Sequence, residues 1–142
     1  MRRMCLFGLA WIAAAIGTAA PSLANIVARI DLSTQQMQVI VDGMHYATWP
    51  VSTARKGYTT PVGNFRATAL KRVYYSRKYD NSPMPYSIFF KGGYAIHGTN
   101  YVRRLGTPAS HGCVRLHPQN AAELFDLVQT YGKDAVRISI VP

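Results

Sequence analysis

The stretch QMQVIVDGMHYATWPV, residues 36–51, constrains the fold more than any other part of the chain. Met37, Val39 and Val41 alternate with Gln36, Gln38 and Ile40. That is the period of two with which a strand sends successive side chains to opposite faces. Asp42-Gly43 then separates this run from a second extended one. A two-residue type I′ turn holds both central residues at positive φ, which Asp tolerates and Gly favours, so the pair predicts an antiparallel hairpin. A chain that opens this way is committed to a sheet.

The pattern downstream extends that sheet. IVARIDL (26–32), FRATAL (65–70), SIFF (87–90), GYAI (93–96) and AVRISIV (135–141) read as further strands. TTPVGNF (59–65) reads as a loop, because Pro61 fixes φ and Gly63 frees it. Residues 71–86, KRVYYSRKYDNSPMPY, are polar, aromatic and proline-bearing. They read as a long excursion of little regular structure, either a lid or binding wall or a plain surface meander. One helix is expected in HPQNAAELFDLVQTYG (117–132). Pro118 sits in its first turn, Ala121, Leu124, Phe125 and Val128 recur at helical spacing, and Gly132 follows as a cap. The expected fold is one mainly β domain, a sandwich or partly closed barrel of mixed sheets with one main helix.

The first 24 residues do not belong to that domain. Arg2 and Arg3, an apolar run from Cys5 to about Ile16, and the small residues Ser22 to Ala24 form the pattern of a secretory signal peptide. Cleavage after Ala24 is expected, leaving 25–142 as the exported domain, in the periplasm or at the cell wall, with no membrane span of its own. Removing Arg2 and Arg3 from the sixteen Lys and Arg leaves fourteen against six Asp and Glu, a formal charge of +8. This balance fits either a generally basic, soluble surface or an anionic partner, which outside the inner membrane means lipid surface, acidic glycan or wall carboxylates, not nucleic acid. The same cleavage removes Cys5, so Cys113 stands alone and no disulfide can form within the mature chain. A lone thiol in an exported protein points either to pairing between chains or to a reactive group.

Cys113 lies in SHGCVRL (110–116), and IHGTN (96–100) precedes it. A thiol attacks as the thiolate, and a nearby imidazole can take its proton. Gly112 implies a tight bend that splays His111 away from Cys113, whereas His97 ends a predicted strand to which the 98–109 loop can return the chain. His97 is therefore the favoured base, with an accessible, acidic Cys113 thiol. A bend at Gly112 would also point the Gly112 and Cys113 amides one way, as an oxyanion hole. Arg115 either pairs with an acid or holds a substrate carboxylate. Two other classes fit the same letters. His97, His111, Cys113 and His117 contain the nitrogen and sulfur ligands of a zinc site, and an exported wall-binding module would need no chemistry at all. His45 and His117 read as surface or capping residues.

Taken together, HGT at 97–99, SHGC at 110–113 followed by an apolar residue and Arg115, and VSTARKGYTTPVGNF at 51–65 resemble the L,D-transpeptidase catalytic domain (YkuD-like) family. The resemblance covers about residues 26–141. It implies the β-sandwich-like fold of that family and an activity on peptidoglycan stem peptides without a cofactor. Cys113 would attack the carbonyl at the L-centre of the third stem residue and release D-alanine, leaving a thioester that passes to an amine. His97 would serve as base and then acid, its ring oriented by the Gly98 carbonyl. Ser110, His111 and Gly112 would shape the oxyanion site with the Cys113 amide. Arg115 and Tyr86, the latter closing the tyrosine-rich 71–86 segment, would bind substrate. The acceptor stays open between a second stem, an outer-membrane protein amine, a free D-amino acid and water. With water, the enzyme would be an L,D-carboxypeptidase or endopeptidase.

Overall fold

The computed structural model describes Gly17 and residues 24–142. Apart from Gly17 and Ala24, the expected leader lies outside the described residues. Five strands form the larger sheet: β1 (Ile26–Asp31), β2 (Gln36–Val41), β3 (Met44–Pro50), β4 (Gly63–Arg66) and β11 (Val136–Val141). They lie in the order β3-β2-β1-β11-β4. The predicted hairpin joins β2 to β3, with Val41 opposite Met44 and positive φ at both Asp42 (50°) and Gly43 (78°). β11 returns from the far end of the chain to pair parallel with β1.

The segment expected as a loop at 59–65 is shorter than that. Gly63 to Phe65 already belong to β4, which pairs antiparallel with β11. Phe65 there packs on Phe90, ring centroids 5.2 Å apart. The turn chemistry of Pro61 is local, and the ladder to β11 takes over two residues later.

The second sheet holds β5 (Ala69–Lys71), β8 (Ser87–Lys91), β9 (Tyr94–Gly98) and β10 (Val114–Leu116), in the order β10-β9-β8-β5. The 71–86 excursion contains a two-stranded pair, β6 (Tyr75–Ser76) with β7 (Ser82–Pro83). The helix α1 spans Pro118–Tyr131 and buries Ala121, Leu124, Phe125 and Val128, the stripe read from the sequence. His117 caps it, its ring nitrogen accepting from the Gln119 N–H. Gly132 closes it, its N–H donating to the Val128 carbonyl.

One apolar cluster joins the layers. Ile30, Met37 and Ile138 from the larger sheet share it with Ile88 and Ile96 from the smaller sheet and with Phe125 from the helix. Each such side chain contributes about 1.5–3 kcal/mol on full burial. This core is what holds β9 and β10 rigid, and the candidate residues His97 and Cys113 sit at their ends. Among the described residues no helix is long and apolar enough to cross a membrane.

Candidate active site

His97 is the penultimate residue of β9, and Cys113 immediately precedes β10. The two strands are parallel, with Ile96 opposite Val114 and His97 opposite Arg115. Continuing that register places Cys113 opposite position 95, two residues from His97 along the strand. Side chains at alternate positions share a face, and adjacent strands lie about 4.8 Å apart. His97, Cys113 and Arg115 accordingly line one cavity of about 610 Å³.

The histidine is buried, with 5% of its surface exposed. Its Nδ1–H donates to the Gly98 carbonyl at 2.7 Å. A carbonyl cannot donate, so this bond fixes the tautomer and leaves Nε2 as the acceptor. Burial pushes the His97 pKa down to about 4, and the Arg115 charge adds to the effect, while the bond to Gly98 opposes it. At neutral pH the ring is an uncharged base.

The thiol departs from expectation. Cys113 is partly buried, and burial raises its pKa above the ordinary cysteine value. The Ala95 backbone N–H and the Arg115 charge pull the other way with smaller effect. The Sγ atom lies 3.8 Å from the Gly93 carbonyl, to which the thiol donates. The acidic thiol read from the sequence is therefore corrected. In the resting site both members of the pair are neutral, because desolvation disfavours charge on each.

The loop that carries Cys113 is tied on several sides. Ser110 Oγ donates to the Cys113 carbonyl at 2.6 Å and accepts from the Gly112 N–H at 3.0 Å. This corrects the expectation for Gly112, because its amide is bonded to Ser110 and not free for an oxyanion. Gly112 has φ 140°, and a Cβ there would sit 2.6 Å from the Tyr94 ring and 2.9 Å from the Thr59 carbonyl oxygen. Only glycine fits that combination of backbone and space. Behind the loop, the Ala109 and Ser110 N–H groups donate to the Thr53 carbonyl, and the Arg55 N–H donates to the Ser110 carbonyl.

His111 faces the same cavity without serving the thiol. Its ring stacks on Tyr79 with centroids 4.2 Å apart, and meets Tyr58 edge-on at 4.7 Å. The Arg55 guanidinium donates to Nε2 at 3.0 Å, so the ring proton sits on Nδ1. Burial, then the charges of Arg55, Arg115 and Lys78, hold its pKa below the usual imidazole value. Through Tyr79, this stack fastens the 71–86 excursion over the cavity, which Ser76, Lys78 and Met84 also line. The excursion thus forms one wall of the cavity.

Tyr86 does not reach the cavity. Its backbone turns left-handed at φ 56°, and its ring packs on Phe125 of α1 with Arg72 above it. The tyrosines that line the cavity are Tyr58, Tyr79, Tyr94 and Tyr101. The four residues named for zinc are not brought together as one set. Among the described residues no three His, Cys, Asp or Glu side chains gather for a metal, and His117 is turned to its capping bond. Arg115 is half-buried, lies over Tyr101 and makes no ion pair among the described residues.

Other residues were not singled out by the sequence. Gln35 is buried, donates from Nε2 to Thr53 Oγ1 at 2.6 Å and accepts from the Thr53 N–H at 2.9 Å. It thereby holds the strand-like 51–53 segment against Ser110. Thr60, also buried, touches the peptide just before Cys113. Thr60 lies in the TTP of the 51–65 stretch, where proline drew attention away from the hydroxyl.

Comparison with known proteins follows the same lines. The pattern of the family described as L,D-transpeptidase catalytic domain (YkuD) matches residues 25–138. The putative L,D-transpeptidase YqjB of Bacillus subtilis is 30% identical over 112 residues, covering 70% of this chain and 64% of that protein. The chain thus spans somewhat less than two thirds of that relative. Among solved structures, an L,D-transpeptidase from Mycobacterium smegmatis superposes with a TM-score of 0.72 at 25% identity, covering 84% of this chain and 59% of that one. The LD transpeptidase LdtMt1, solved in complex with imipenem, gives 0.72 at 26% identity, covering 82% and 59%.

Proposed function

The chain belongs to the L,D-transpeptidase catalytic domain family, and on that premise we propose that residues 25–142, exported by the leader at 1–24, act as a cysteine L,D-transpeptidase on peptidoglycan stem peptides in the periplasm or cell wall. The observation that carries this reading is the convergence of a tautomer-fixed, neutral His97 and the single mature cysteine on one cavity from adjacent parallel strands.

His97 Nε2 accepts the Cys113 proton as the sulfur attacks the carbonyl at the L-centre of the third stem residue. Because both groups rest neutral, proton transfer accompanies attack and does not precede it. The tetrahedral oxyanion is met by the Cys113 N–H, with the loop of Ser110, His111 and Gly112 holding that amide in place. The imidazolium then gives its proton to the departing amine of D-alanine, the carbon–nitrogen bond breaks, and a thioester remains on Cys113. An acceptor amine, from a second stem or an outer-membrane protein, loses a proton to His97 and attacks the thioester, and the thiol leaves reprotonated. No cofactor enters these steps.

The cavity suits a substrate rich in carboxylates. Arg115 and Lys78 line it, Arg55 stands behind His111, and among the described residues no Asp or Glu is part of the lining. Arg115, without an acid of its own among the described residues, binds a stem carboxylate.

Incubation with disaccharide-tetrapeptide muropeptides, followed by mass spectrometry, tests the reading. Loss of D-alanine with formation of dimers is expected. Shortened stems without dimers mean a hydrolase, and unchanged stems mean that the substrate class is wrong. Imipenem, the ligand of the LdtMt1 structure, is expected to add once to intact protein, at Cys113. Acylation at any other residue contradicts the assignment.

A further inference from the structure

We propose that Thr60 is a positioning residue that aims the Cys113 amide at the developing oxyanion. This deepens the function proposed above and rests on Cys113 being its nucleophile. The Thr60 side chain has 4% of its surface exposed. Its Oγ1 accepts from the Ala54 N–H at 3.0 Å and donates to the Gly112 carbonyl at 2.8 Å. A hydroxyl has one proton, and an amide N–H can only donate. The direction of both bonds is therefore fixed: the Thr60 proton goes to Gly112.

That bond acts on the next residue through peptide geometry. The Gly112 carbonyl and the Cys113 N–H belong to one planar unit, and there are no cis bonds among the described residues. In a trans peptide the two groups point in opposite directions. Holding the carbonyl toward Thr60 therefore holds the Cys113 N–H away from it. The other side of the nucleophile is held as well, since Ser110 Oγ binds the Cys113 carbonyl at 2.6 Å. Both peptide planes flanking Cys113 are thus clamped, one by Ser110 from its own loop and one by Thr60 from 52 residues upstream.

The clamp is needed at this position. Glycine offers little steric resistance to rotation of the peptide that follows it. The close quarters required at Gly112, against Tyr94 and Thr59, rule out a side chain that would stiffen the backbone. Restraint has to come from a hydrogen bond, and Thr60 supplies it. Because the Gly112 N–H is bonded to Ser110 Oγ, the Cys113 N–H carries more of the oxyanion's charge, and its direction matters correspondingly more.

The test compares two reactions of one sulfur in the full chain. Acylation by imipenem builds an oxyanion; alkylation by iodoacetamide does not. Thr60→Val keeps the shape and removes the hydroxyl. It is expected to slow acylation by about tenfold to a hundredfold, somewhat less than outright loss of an oxyanion donor. Alkylation should stay within about twofold, since thiol reactivity depends on the sulfur's own ionisation. Thr60→Ser is expected to restore acylation. If the valine variant does not fold, Thr60→Cys, with a weak donor in a similar shape, should show an intermediate slowing of acylation alone. Equal slowing of both reactions, unchanged acylation, or no rescue by serine overturns the role of Thr60 while leaving the nucleophile intact. A parent protein that imipenem does not acylate at Cys113 overturns the nucleophile assignment, and the role of Thr60 with it.

Discussion

Acidification should destabilise this protein through His97 before it does so through the carboxylates. The imidazole is buried and its pKa is pushed down to about 4, whereas in the unfolded chain it titrates near 6.5. Below 6.5 the unfolded state takes up a proton that the folded state refuses, so stability is lost as pH falls from 6.5 toward 4. At about 1.4 kcal/mol per pH unit, the full difference comes to roughly 3 kcal/mol, with about half of it gone near pH 5.5. Urea unfolding of the parent and of His97→Gln at about pH 7, 5.5 and 4 isolates the effect, since the other titrating groups are common to both. The variant has its own baseline stability, so the informative quantity is how the gap between the two changes with pH. Relative to the variant, the parent should lose roughly 3 kcal/mol between neutral pH and pH 4. Parallel loss in the two proteins would mean that the ring protonates freely in the folded state. A buried neutral base would then be refuted.

Three further outcomes follow from the site. Alkylation of Cys113 by iodoacetamide should accelerate with pH through the ordinary cysteine range and beyond it, because burial raises the thiol pKa; a rate already flat at neutral pH would indicate a preformed thiolate. Gly112→Ala places a Cβ 2.6 Å from Tyr94 at φ 140° and should cost roughly 2–4 kcal/mol in urea unfolding; a loss below about 1 kcal/mol would contradict the tight packing of that turn. Arg115→Met should raise KM for a tetrapeptide donor about tenfold or more, the scale of a charge-assisted pair, with a smaller change in kcat; an unchanged KM would remove Arg115 from substrate binding.

The hairpin at Asp42-Gly43, the helix stripe and the closing strand were legible because each rests on a local period or a turn residue with one strong preference. That His97 and Cys113 line one cavity was legible as a short, glycine-bearing return between a strand and a lone thiol. The acidity of that thiol was not, because burial is a property of the assembled core and here it outweighs the neighbouring Arg115. The side to which Tyr86 turns was hidden for a related reason. Its segment does wall the cavity, but sequence composition cannot say which of several tyrosines the backbone turns inward, and a left-handed φ turns this one onto Phe125. The bonds that Gln35 and Thr60 make behind the cysteine loop could not be read from the sequence. Their partners, Thr53 and Gly112, lie 18 and 52 positions away, and isolated polar residues carry no periodic signal.

The most direct measurement is peptide mapping of the acyl-enzyme trapped during turnover of a tetrapeptide donor. One covalent adduct on the peptide bearing Cys113 is predicted, equal in mass to the donor less D-alanine, absent from Cys113→Ala and slow to form in His97→Gln. Turnover that persists in Cys113→Ala, or an adduct carried by any other residue, would contradict the sulfur–imidazole pair on which the mechanism depends.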